Sequence, residues 1–563
     1  MHSFFRRVWT YRFHYVLIVP ALIWILVFKL LPFLFATRVP FIHFQLHKGI
    51  IGSEWAGMSN LTKMFANPAF RSAFMNTVLI KGGYILICAV AALVLALAVS
   101  ALRSRKLRTA LTTLLLVPYF IPSIIFAYMA LVLVSSTQSP PLSIQGLVWG
   151  DVRLFQPMLI LLEVLKTCGI PVVIALAAIG SRHAAVRQRE GEAIPSFVRM
   201  NVIPATRAIT AFMVLQLSTL LTTNFELIHL LNNPLVRSVG DTLDIYMFRE
   251  GMMGLNVSGA GTVWLIQFIV QLLLTGLAYF LIRGAFLKDL FSGYADTNEL
   301  QDVQKGGRIV GIAVSVLFAL IALVPMYFLF IHPFTVQSNS GYSLAALLER
   351  SNFTLYLVFS MAAAIAGLLM TVALAYPMTV PDLPGRGLYK GFLIAVMLMG
   401  SGTAMHEYLL AGSLGMLNTI FPTMLFGILT VIHAFVLSAI FNSKYADLKQ
   451  QASAEKRGEM RTFFSLFISK VWKPLLTLGM LQFVSLWNSY YSSFLYIANK
   501  DRFSPITQIW SLLSSADPKQ RIPLGDPLLL QYGAIVALLP LILLIVFRKW
   551  LTSEVLLGEI RRL

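Results

Sequence analysis

Charge is scarce in this chain: Asp, Glu, Lys and Arg make up only 12% of its 563 residues, against 58% hydrophobic residues. A soluble globular domain carries about 25% charged residues, so that class is excluded. Cysteine is scarcer still. Cys88 and Cys168 both lie in apolar stretches, which fits neither a disulfide framework nor a zinc site and reads as two packed thiols. No Gly-Lys dipeptide occurs, so the phosphate-cradling loop that ends in Gly-Lys-Ser/Thr is missing. His-Glu-x-x-His, a Cys/His ligand cluster and a nucleophile elbow are missing as well. The chain is therefore expected to hold no metal site, no catalytic residue and no cofactor, and any ATP and Mg²⁺ that power it belong to a separate subunit.

Long apolar runs are what the sequence has. A helix needs about 20 apolar residues to cross the hydrocarbon core. Such runs fall at 15–37, 75–101, 111–136, 155–180, 206–231 and 260–283, then at 308–333, 354–380, 388–411, 417–441, 475–498 and 528–548. The first, Tyr15–Ala36, is too long for the core of a cleaved signal and no small-x-small site follows it, so it reads as a membrane helix. The expected fold is an all-α membrane protein of twelve transmembrane helices in two six-helix repeats, 1–290 and 308–563, joined by a polar linker at 291–307. Six is even, so each repeat starts and ends on one face and the repeats must be parallel, related by an axis along the membrane normal.

The net charge of +20 raises nucleic acid as a partner, but its distribution excludes that. Arg6, Arg7 and Arg12 precede the first run; Arg103, Arg105, Lys106 and Arg108 follow the second; Arg182, Arg187, Arg189 and Arg199 follow the fourth. Basic clusters on alternate loops are the positive-inside pattern, with both termini cytoplasmic in a plasma membrane and lipid as the surrounding partner. The longest polar loops, 181–204 and 442–474, occupy the same place in each repeat, between the fourth and fifth runs. Each mixes acids and bases with apolar residues, as a short surface helix does, and is followed by Pro204 or Pro474 near the start of the next span, where proline suits a first helical turn.

These loops carry a resemblance. The chain looks like the two membrane subunits of a carbohydrate-uptake ABC importer, of the maltose or oligosaccharide-permease type, fused end to end. That family has a docking motif, E-A-A-x-x-x-G, with a proline about thirteen residues on. Here Glu190-Gly191, followed by Glu192, resembles its acid–glycine step, and Pro204 stands thirteen residues beyond Gly191. Ala185 fills the motif's glutamate position. In the second loop Gln451-Ala452-Ser453 resembles the opening triplet with Gln for Glu, and Gly458-Glu459 comes one residue late. Further stretches similar to the family are His47–Asn76, Asn224–Met252, Leu383–Arg386, Gly415–Thr419 and Leu486–Tyr490. The resemblance implies two ABC ATPase subunits docked on loops 181–204 and 442–474, and an extracytoplasmic solute-binding protein delivering a carbohydrate.

Polar residues at membrane depth are candidate functional groups. Asn224, Phe225 and Glu226 lie in the fifth run and Trp487, Asn488, Tyr490 and Tyr491 in the eleventh, equivalent positions that offer aromatic faces and hydrogen-bonding groups for a sugar. Trp487 and the tyrosines also fit an interfacial aromatic belt. Glu163 and Lys166, three residues apart, are placed to neutralise each other, Lys29 to snorkel to the interface, and a chain of buried carboxylates suited to proton coupling is not expected. Two readings compete with the importer: a twelve-helix secondary carrier, and a non-transporting scaffold or receptor.

Overall fold

The computed structural model describes residues 8–134, 148–187, 196–282, 305–338, 340–399, 404–455, 458–515, 517 and 521–562. Glu190, Gly191 and Glu192 lie outside them, as does most of the 291–307 linker. The described chain is helical, apart from a two-residue antiparallel pairing of Ile42–His43 with Glu54–Trp55.

Among the described residues nine helices are long and apolar enough to cross a membrane, and a bent pair, Arg105–Phe120 with Ser123–Leu133, makes a tenth. Several expected runs are less regular than their composition implies. The run 155–180 is divided between Val152–Thr167 and Gly169–Arg187. The run 388–411 is divided between Arg386–Leu398 and Ala404–Ser413, while 417–441 contributes to Val431–Ala454. At Gly169 a Cβ would lie 2.2 Å from the Leu115 carbonyl, so glycine is what lets this helix approach its neighbour.

Lipid gives apolar side chains little reason to prefer each other, so close packing and polar contacts hold such helices together. The first helix of each half packs on the other half. Arg12–Ile25 lies along Phe353–Met378, and Lys305–Phe330 along Pro68–Ser100. The Tyr15 hydroxyl donates to the Pro384 carbonyl at 2.8 Å. Lys29 does not snorkel: its ammonium donates to the Phe426 carbonyl at 2.8 Å and lies 3.5 Å from Glu407, because the crossing helix brings it against second-half acceptors.

Each half also contains a matching break. Ile203–Leu217 ends, the backbone runs non-helically, and Asn224 restarts it by accepting the Leu227 N–H at 3.2 Å, giving the seven-residue helix Phe225–Leu231. In the second half Ser469–Trp487 ends, and Ser489 caps the seven-residue helix Tyr490–Tyr496. Polar Asn and Ser are favoured caps because their oxygens satisfy N–H groups left open in the first turn.

Candidate translocation cavity

The site begins at Pro122. It has no N–H and pushes Ile121 into extended backbone (ψ 132°), so the helix breaks there and the two pieces meet at 98°. The break leaves carbonyls that need donors. The buried Lys166 ammonium donates to Pro118 O, at 3.1 Å, and to Ile121 O, while the Asn488 amide donates to Phe120 O at 3.0 Å. Lys166 is therefore not paired with Glu163. The Glu163 carboxylate lies 3.6 Å from Lys81, and both are buried. Spacing along the helix allowed the nearer pairing; the carbonyls opened by Pro122 overrode it.

These groups surround a cavity of about 240 Å³. Tyr119, Asn224, Glu226, Asn488 and Glu559 line it with Glu163 and Lys166. One Glu226 oxygen accepts the N–H groups of Tyr490, at 2.9 Å, and Tyr491, at 3.3 Å. An acid of the first half thus completes the first turn of a second-half helix. The Asn224 amide donates to Ser123 at 3.4 Å, and Asn488 Oδ1 is buried without a hydrogen-bond partner.

Beside the cavity, rings from both halves close on one another. Phe225 meets Tyr491 with centroids 4.5 Å apart. His229 stacks on Phe225 at 5.1 Å and lies within 6 Å of Phe248, Tyr490, Phe494 and Trp510. The Tyr490 hydroxyl and His229 Nε2 are buried and unpartnered.

Three of the seven expected pathway residues, Asn224, Glu226 and Asn488, line the cavity; Phe225, Tyr490 and Tyr491 join the adjacent ring cluster. Trp487 does neither. It is 4% exposed, and its indole donates to the Val536 carbonyl at 3.2 Å. The last residues carried no sequence motif, yet Glu559 is a wall of the cavity. It accepts from the first-half Tyr119 hydroxyl at 2.7 Å and lies 3.3 Å from second-half His433. Nearby, Glu554 pairs with Lys444 at 3.0 Å.

Of the expected docking residues, Pro204 is buried in the second turn of a continuous helix, since Val198–Val202 runs straight on into Ile203–Leu217. Pro474 is not in a first turn either: it sits inside Ser469–Trp487, which continues from a helix starting at Glu459. Gln451 and Gly458 are exposed and Ala452 is buried. Glu459 turns inward, accepting from the Tyr376 hydroxyl at 2.7 Å beside His14 at 3.3 Å. Lys449 bonds Thr379 at 2.6 Å over the Tyr376 ring, and burial pushes its ammonium down to about 8. Cys88 and Cys168 are buried free thiols, as expected. Among the described residues no cluster of three or more His, Cys, Asp or Glu could hold a metal ion.

Among the described residues, helices apolar and long enough to span a membrane surround a polar cavity, the build of a multi-pass membrane protein. No family model matches the chain. It is 28% identical over 279 residues to Protein LplB of Bacillus subtilis (strain 168), an alignment covering 46% of this chain and 85% of that one. It is 24% identical over 279 residues to the polygalacturonan/rhamnogalacturonan transport system permease protein YteP of the same organism, covering 47% and 86%. A solved structure of a bacterial alginate ABC transporter in complex with alginate pentasaccharide-bound periplasmic protein aligns over 49% of this chain and 95% of that one, with 21% identity and a TM-score of 0.42. The resemblance to carbohydrate ABC-transporter permeases is borne out by these relatives, each of which aligns with a little under half of this chain.

Proposed function

We propose that the chain is the membrane-spanning part of an ATP-driven importer that moves an oligosaccharide through the cavity between its halves. Residues 1–290 and 308–563 would be two parallel six-helix repeats, twelve helices in all. A separate extracytoplasmic binding protein would deliver the sugar, and two ATPase subunits would dock on loops 181–204 and 442–474. The observation that carries this reading is the contact of Glu226 with Tyr490 and Tyr491 at the cavity wall. It joins equivalent breaks of the two halves, so a movement of one half is felt at the site and at the other half. The reciprocal packing of the first helices supports the repeat architecture.

At about 240 Å³ the cavity is below the ~300–1,000 Å³ of sites that enclose a drug-sized ligand. An oligosaccharide would require the halves to part, which is the work assigned to the ATPases. The purified chain alone should hydrolyse no ATP, and ATPase subunits should co-purify only while both loops are intact. ATP hydrolysis by the isolated chain would refute the assignment.

One observation favours a second reading. The expectation that buried acids suited to coupling are missing does not hold at the cavity, where Glu163 and Glu226 form part of the wall. A secondary carrier would use such groups. Uptake into proteoliposomes driven by a proton gradient, with no ATPase present, would decide for it.

A further inference from the structure

We infer that the second half carries a saccharide site of its own, outside the cavity, which holds an acidic sugar unit by its carboxylate. The site is the pocket between the turn Lys500–Arg502 and the helices Leu344–Arg350 and Pro505–Ser514. Its place on the face that meets an arriving sugar rests on the importer reading; its chemistry does not.

Two loops build the pocket and hold it in shape. Ser343 caps the helix Leu344–Arg350 by accepting the Ala346 N–H at 3.2 Å. Just beyond that helix, the Asn352 amide donates to the carbonyls of Asp501, at 2.7 Å, and Phe503, at 3.2 Å. The Tyr356 hydroxyl donates to the Arg502 carbonyl at 3.0 Å. The turn is therefore gripped by its backbone, and the Lys500 and Asp501 side chains remain for the pocket wall. The spanning helix Glu459–Trp487 starts in the docking loop 442–474 and ends before this turn. Pocket and docking loop thus lie on opposite faces.

The pocket holds about 520 Å³, within the ~300–1,000 Å³ of small-molecule sites and more than a lone carboxylate side chain fills. Arg350 and Lys500 both line it, and neither forms an ion pair or a side-chain hydrogen bond with another described residue. A guanidinium meets a carboxylate with two parallel bonds, and an ammonium adds a compact charge beside it. The other lining groups suit the remainder of a sugar. The Asp501 carboxylate accepts from hydroxyls, the Gln508 amide both donates and accepts, and Leu512 offers an apolar surface to ring C–H groups. Ser515 stands on the same wall, 6% exposed, and its Oγ has no hydrogen-bond partner. A buried hydroxyl left in that state costs free energy, and a sugar hydroxyl is the kind of partner it lacks.

The test is isothermal titration calorimetry on the full chain in phosphatidylcholine nanodiscs, with digalacturonate and its neutral counterpart galactobiose. Digalacturonate should bind. Arg350→Gln combined with Lys500→Gln should weaken it by roughly tenfold or more, the loss of charge-assisted bonds to one carboxylate, and leave any galactobiose binding unchanged. Lys500→Arg, which keeps the charge, should retain digalacturonate. Arg350 and Lys500 are exposed, so the variants should melt as the wild type does. Digalacturonate affinity unchanged in the folded double variant puts the uronate elsewhere and overturns the inference, as does no binding to the wild type. Neither result touches the importer reading, which stands or falls on ATPase co-purification. A third arm adds phosphatidylglycerol to the discs. If that lipid displaces digalacturonate, and native mass spectrometry finds it retained by the wild type but not by the double variant, the two cations serve a lipid phosphate and the inference is overturned.

Discussion

Glu226 and Tyr490 are 264 residues apart in the chain and 2.9 Å apart in space, carboxylate oxygen to backbone nitrogen. The bond is one of the direct contacts by which one half of the chain holds the other at the cavity. Replacing Glu226 with Ala strands two N–H groups, and an unmet buried donor costs about 1–3 kcal/mol. Glu226→Ala should therefore melt earlier in detergent by that order, while Glu226→Gln, which keeps an acceptor, should recover a large part. Equal loss in both variants would show that charge, not the helix cap, is what Glu226 supplies.

A double-mutant cycle separates the two partners that Glu163 has on paper. Residues in contact couple by about 0.5–3 kcal/mol, and independent ones add within about 0.5 kcal/mol. Lys81→Met with Glu163→Gln should show coupling, because the charges lie 3.6 Å apart. Glu163→Gln with Lys166→Met should be additive, since the Lys166 donors go to Pro118 and Ile121. Unfolding free energies of the single and double variants decide it.

Tyr490→Phe should stabilise the chain by about 1 kcal/mol, the reverse of the usual effect of deleting a buried hydroxyl. Its oxygen is enclosed with no hydrogen-bond partner, so the wild-type side chain bears a desolvation penalty that phenylalanine avoids. A lower melting temperature for Tyr490→Phe would contradict this.

Lys449 gives stability a slope with pH. Burial lowers its ammonium from 10.5 to about 8, so between those limits the unfolded chain binds more protons than the folded one. Stability then rises with pH from about 8 to about 10.5 and is lower by a constant amount below 8. This depression corresponds to roughly 3 kcal/mol at most. Lys449→Met should flatten this part of the profile and stabilise the chain at pH 7, which melting curves across pH 7–10.5 will show.

How much of this was legible in the sequence follows from what each residue depends on. The apolar runs, the paired loops and the pairing of Asn224 and Glu226 with Asn488 and Tyr490 as equivalent positions rest on composition and spacing, which a sequence displays. Lys166 was visible, but its partners were not, because the Pro118 and Ile121 carbonyls became available only once Pro122 broke the helix. Glu559 gave no signal: its role comes from the chain end folding back between Tyr119 and His433. His229 and Phe494 lie in apolar runs and Phe248 and Trp510 outside them, and only packing gathers the four around Tyr490 and Tyr491. Trp487 misled for a similar reason, since the aromatic that ends the helix at the break faces the last long helix instead of the cavity.

The exchange of opening helices changes what counts as a moving part. Arg12–Ile25 is seated on the second half and Lys305–Phe330 on the first, so neither half carries all of its own neighbours. A polypeptide severed at 291–307 would yield fragments that each expose an unfilled groove and must be made together to assemble. During transport the bodies that swing apart would be composites, each taking one helix from its counterpart, and the covalent boundary would not be the mechanical one.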